Sequence, residues 1–123
     1  MATRSRIAIE TESGTVKSIY CHWDGYVNGV GKTLFNHYDR EKLEKLIELG
    51  DISSLGESTE NTVVYCRDRG EDFHSTDYLN IEGLFGNCFR SGEEYTYYLS
   101  KDGVWMLYTL QNVVKVLKDE LEE

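Results

Sequence analysis

Proline is absent from this 123-residue chain, cysteine occurs three times, and Lys plus Arg number only 13 against 22 Asp plus Glu. Each shortage excludes something. Without proline, loops take their shape from glycine and short polar side chains, so turns are sought at Gly, Asn and Asp. Cys21, Cys66 and Cys88 are odd in number, far apart and without a Cys-x-x-Cys pair, which indicates reduced thiols rather than a disulfide framework or a structural zinc site. A formal charge of -9 opposes non-specific binding to a nucleic-acid backbone, which needs surplus Lys and Arg. One pocket holding two or three arginines can still take up a small anion. The acidic exterior also suits a protein that imitates nucleic acid and occupies a basic groove on a partner. No segment approaches the length of a membrane span, and Met1–Arg6 leads into too short an apolar stretch for a secretory signal, so a cytoplasmic protein is expected. There is no internal repeat and no low-complexity tract.

A hydrophobic fraction of 40% supports one modest core, and residues 1–123 are read as a single domain. Residues 6–23 alternate on either side of Glu12-Ser13-Gly14 and predict a β-hairpin. Tyr20 and His22 then share one face, with Ile19, Cys21 and Trp23 on the other, the better candidate for the core. Gly25, Gly29 and Gly31 mark a loop, Lys32–Tyr38 a short helix, and Asp39 the cap of a second helix in which Leu43, Leu46 and Ile47 fall at helical spacing. Gly50 is its natural stop. Residues 51–61 read as a loop, 62–66 as a strand, and 73–92 as a packed irregular segment. Tyr95–Ser100 and Val104–Tyr108 flank Lys101-Asp102-Gly103 and give the clearest hairpin signal. Thr109 is placed to cap a final helix carrying Leu110, Val113, Val114, Leu117 and Leu121, which lies on the sheet or pairs with a copy of itself. The fold class expected is α+β: a small, mainly antiparallel sheet of about five strands with helices packed on one face. Nine tyrosines and two tryptophans leave aromatic surface suited to a homo-oligomer.

The stretch Gly25–Thr33 imitates a phosphate-binding P-loop but has five residues, not four, before Gly31-Lys32-Thr33, with Tyr26 following the first glycine. A looser role remains, in which the loop, Lys32 and the helix start receive one anion. Cys21 and His22 point to opposite faces of a strand, which defeats a Cys–His dyad. His37 and His74 have no metal-ligand spacing, and the carboxylates are abundant without a placed pair, so neither an enzyme nor a metal or organic cofactor is expected. Arg67 to Asp72 reads either as a solvated turn with internal ion pairs or as a pair of guanidinium groups, Arg67 and Arg69, that grip phosphate while Tyr65 or Tyr26 stacks on a base.

Tyr20-Cys21-His22-Trp23-Asp24-Gly25-Tyr26, Asn36-His37-Tyr38, Leu49 to Gly56 and Arg67-Asp68-Arg69-Gly70-Glu71 together resemble a widespread group of small phage and prophage proteins. The resemblance spans roughly the first 72 residues; relatives place proline after the tyrosine, where this chain has Val27. Small accessory phage proteins of this kind are often anti-defence factors. Some sequester nucleotide-derived immune signals, cyclic ADP-ribose isomers or cyclic oligonucleotides of the Thoeris or CBASS systems, in oligomeric pockets without cleaving them. The resemblance thus implies a non-catalytic signal sponge in the cytoplasm of an infected bacterium. Its ligand-binding residues are expected to be His22, Trp23, Asp24, Tyr26, Lys32, Tyr65, Arg67 and Arg69, with Trp23 or Tyr26 stacking, Arg67 and Arg69 on phosphate, and Asp24 on a ribose hydroxyl. The alternatives are an acidic protein that blocks a host defence protein, in the manner of an anti-CRISPR or nucleic-acid mimic, and a small hydrolase of the signal.

Overall fold

The computed structural model describes residues 3–91, 93–109 and 114–121, without the side chains of 87–91. Both predicted hairpins form. Ser5–Glu10 (β1) and Val16–Cys21 (β2) pair with Ile7 opposite Ile19, turning at Gly14 with φ 90°. Helix α1 (Lys32–His37) follows, then α2 (Arg40–Glu48), whose first turn is capped by the Asp39 carboxylate accepting the Lys42 N–H at 2.9 Å. Short strands β3 (Ile52–Ser54) and β4 (Val63–Val64) lead into α3 (Tyr65–Arg69). Then come β5 (Thr76–Tyr78), α4 (Ile81–Ser91), the second hairpin β6 (Tyr95–Leu99) and β7 (Trp105–Thr109), β8 (Val114–Val116) and α5 (Leu117–Leu121).

The fold is α+β, but the sheet is larger than expected and mixed. Eight strands run in the order β4-β3-β2-β1-β6-β7-β8, and β5 pairs with the first half of β2. The two hairpins lie side by side with β1 parallel to β6, and β2 is parallel to β3 at Cys21 and Ile52. Hairpin signals are local, whereas the pairing of one hairpin with the next is chosen by packing, so the parallel pairings left no mark in the sequence.

Helices also cover both faces rather than one. On the first face Ile7, Ile19, Tyr97 and Leu107 line up across four strands and bury against Leu34, Leu43, Leu46 and Leu117 from three of the helices. On the second face Ala8, Val16 and Tyr98 meet Leu84 of α4, and Phe85 stacks on Tyr108 at 4.1 Å. Segment 73–92, expected to be irregular, holds β5 and α4.

Two further expectations fail for local reasons. The strand foreseen over 62–66 stops after Val64, because the Asp68 carboxylate accepts both the Val64 N–H and the Arg67 guanidinium and winds the chain into α3. At the C-terminus Thr109 closes β7 instead of capping a helix, and Val114 to Val116 pair with Met106 to Tyr108, as β-branched residues favour. Leu117 and Leu121 keep their helical role, and Leu117 is buried in the chain's own core; Leu110 and Val113 lie outside the described residues. No helix among the described residues is long and apolar enough to cross a membrane.

Candidate functional site

Beyond Cys21 the chain runs on as an extended edge. The His22 N–H donates to the Ile52 carbonyl at 3.2 Å and the Trp23 N–H to Ser53 at 2.9 Å. Asp24 then adopts φ 58°, a left-handed conformation uncommon outside glycine, and reverses the chain. Residues Val27–Gly31 fold into a π-helical turn continuous with α1. The reversal is fastened from several sides: the Gly25 N–H donates to Thr3 at 2.9 Å, the Val30 N–H to Asp24 at 2.8 Å, and the buried Tyr97 hydroxyl to the Gly25 carbonyl at 2.6 Å. Burial pushes the Tyr97 phenol far up, so it stays a donor at any physiological pH. Tyr97→Phe leaves the Gly25 carbonyl without that donor, and we expect a loss of about 1–3 kcal/mol in urea denaturation.

This framework displays aromatic rings. Trp23 is 47% exposed and Tyr26 45%, although Ile19 and Cys21 on the same strand face are fully buried. The face was read correctly as core; Trp23 itself lies past the strand end and is not part of it. The His22 ring meets Trp23 edge to face at 4.7 Å, its Nδ1 lies 2.7 Å from the Tyr20 hydroxyl, and the Tyr26 hydroxyl donates to the Asp24 carboxylate at 3.4 Å. Asp51 joins this corner to α3: its Oδ1 accepts the Tyr20 N–H at 2.9 Å and its backbone carbonyl the Tyr65 N–H at 3.2 Å. The Arg69 guanidinium lies 5.4 Å over the Tyr65 ring. Burial holds the Asp51 carboxyl and the Tyr20 phenol above their usual ranges.

The structure therefore keeps His22, Trp23, Asp24 and Tyr26 on one corner, with Tyr65 and Arg69 on α3 linked to its strand only through Asp51. Arg67 stands apart. Its guanidinium donates to both Asp68 oxygens at 2.8 and 2.9 Å and to the Thr62 carbonyl at 2.7 Å, the internal ion pair of a solvated turn. Lys32 is exposed on the first turn of α1, but the loop before it is no open anion cradle, because the Gly29, Val30 and Lys32 N–H groups all bond to carbonyls within the loop. Cys21 is buried with its thiol pushed up to about 12 by burial, hence inert, and Cys66 is also a free thiol. Among the described residues no group of three His, Cys, Asp or Glu could hold a metal ion.

Sequence reasoning missed two features. Arg6 and Glu93 form a buried ion pair at 2.8 Å on the second face, and neither residue was singled out by the sequence. A cleft of about 780 Å³ opens on the first face between α2, the β1–β2 turn and β5, and none of the eight candidate residues lines it. Comparison with known protein families, characterised proteins and solved structures finds no match to this chain.

Proposed function

We propose that this chain is a phage-encoded anti-defence protein that binds and sequesters a nucleotide-derived immune signal, a cyclic ADP-ribose isomer or a cyclic oligonucleotide, without cleaving it. The observation that carries the reading is the aromatic corner: two large rings held half in solvent by backbone that five hydrogen bonds and one left-handed residue fix in place. A fold gains nothing in core packing from such an arrangement, whereas a base gains a stacking platform. Arg69, aligned over Tyr65, supplies a cation for phosphate, and the Asp24 carboxylate accepts from a ribose hydroxyl in place of Tyr26. Arg67 acts in this reading through the turn it closes. The resemblance to small phage proteins supports the biological setting, and a homo-oligomer would pair two such corners.

Trp23 is the natural reporter, since Trp105 is only 6% exposed. Titration with cyclic ADP-ribose isomers and cyclic dinucleotides is expected to change Trp23 fluorescence, and Trp23→Ala to weaken binding by about 5- to 150-fold, the worth of one stacked base. After incubation and filtration, heating the retained protein should return the signal intact. Signal left free in the filtrate would favour a protein blocker, and breakdown products would favour a hydrolase; either result defeats the proposal.

A further inference from the structure

The 780 Å³ cleft on the first face has the size of a small-molecule site, and its charges are laid out along its length. Ile9 and Ile47, both nearly fully buried, give it an apolar floor. At one end the Arg40 guanidinium donates to the carbonyls of Glu10 at 3.2 Å and Ser100 at 2.7 Å, which orients its charge without neutralising it. Lys101 stands beside it, its N–H on the Glu10 carboxylate at 3.1 Å. Glu44 and Glu48 follow Arg40 on the same stripe of α2, about 6 and about 12 Å further along the axis. At that far end Phe73, 53% exposed, lies against Gly50, where α2 stops. Lys17 and Asp77, one charge of each sign, are register partners across β2 and β5, and Glu12 sits on the turn at the rim. Among the described residues no ion pair engages Lys101, Glu44 or Glu48.

We propose that this cleft is a second binding site, separate from the aromatic corner, for a short zwitterionic peptide whose terminal carboxylate lies at Arg40 and Lys101 and whose terminal ammonium lies at Glu44 and Glu48. Neither single-charge class fits. A phosphate-rich ligand meets the glutamates, a polyamine meets Arg40 and Lys101, and only opposite charges held apart complement both ends. Length selects further: a free amino acid spans less than one chain repeat, while a tripeptide extends about 10 Å and reaches from the cationic end to Glu48. Its central side chain then rests on Ile9 and Ile47 beside the Phe73 ring.

The test is calorimetric titration of the intact chain with Ala-Phe-Ala and with its N-acetylated and C-amidated forms. The free tripeptide is expected to bind, and each blocked form to bind at least about tenfold more weakly, one lost charge-assisted contact. Lys101→Gln should weaken the free tripeptide and leave the amide unchanged. Glu44→Gln with Glu48→Gln should weaken the free tripeptide and leave the acetylated form unchanged. Trp23→Ala should change none of these. No binding of the free tripeptide at millimolar concentration, equal binding of the blocked forms, or loss of binding in Trp23→Ala overturns the proposal.

Discussion

Replacing Arg6 by methionine is expected to destabilise the chain by about 3–5 kcal/mol at neutral pH, the cost of leaving a buried charge without its partner. Arg6 is 6% exposed and Glu93 1%. The guanidinium donates to Glu93 Oε1 at 2.8 Å and to the Ser18 hydroxyl at 3.0 Å, which passes the chain on to the Thr76 carbonyl at 2.8 Å. Glu93 Oε2 has no hydrogen-bond partner, and neither has the hydroxyl of Thr96, which faces Arg6 in the parallel register; beyond Arg6, the weaker field of Arg4 is what opposes the carboxylate charge. Burial raises the Glu93 pKa and Arg6 lowers it. The sign follows. A folded carboxyl with a raised pKa binds its proton more readily than the unfolded chain, so its contribution to stability is complete below the unfolded value of about 4.3 and is lost as pH rises through the folded value. Asp51, raised by burial as well, acts with the same sign; Asp68, held at about 2 by Arg67, acts oppositely, its contribution being lost as pH falls from the ordinary carboxyl range toward 2. In Arg6→Met the Glu93 window moves upward, and the deficit measured by urea denaturation should shrink from neutral pH to mild acid. Adding Glu93→Gln to that variant should restore most of the loss at neutral pH. An equal deficit at both pH values, unchanged by the second substitution, would show that the uncompensated carboxylate is not its source.

That pair also marks where the sequence stopped being readable. Local signals were sound: Gly14 and Gly103 close the two hairpins at positive φ, Asp39 caps α2, and Leu43, Leu46 and Ile47 are buried as their spacing implied. What failed depends on distant partners. β1 sits at the centre of a sheet covered on both faces, so the alternation Arg6, Ala8, Glu10 describes a second interior as well as a solvent side, and only α4 and Glu93 decide which. β3 and β5 are three residues each, too short for a period to register. The candidate site divides in the same way. His22, Trp23, Asp24 and Tyr26 are neighbours in sequence and were found together, whereas Asp51, which ties them to Tyr65 and Arg69, is far along the chain. The cleft between α2 and β5 exists only once β5 pairs with β2.

Gly29→Ala should cost more binding than the loss of any one ring. A Cβ at Gly29 would overlap the Asp24 backbone oxygen and stand 3.2 Å from the Asp24 carbonyl carbon and 3.1 Å from the Tyr26 ring. The overlap is with backbone, which a rotamer change cannot relieve, and Asp24 is held at φ 58° while its oxygen accepts the Val30 N–H. Gly25 cannot yield in turn, fixed between Thr3 and the Tyr97 hydroxyl. We expect a loss of about 1–3 kcal/mol in stability, as for other overpacked sites, with the corner opened and Trp23 no longer set relative to Tyr26. Gly86→Ala is the matched control, because a Cβ there meets nothing within 4 Å and alanine favours the α4 helix. The informative readout is Trp23 fluorescence at temperatures where both variants are fully folded. If Gly29→Ala stays folded and still binds the signal as tightly as the parent, the rings act as loose surface contacts; if binding falls while Gly86→Ala keeps it, the rigidity of the reversal is what makes the corner a site.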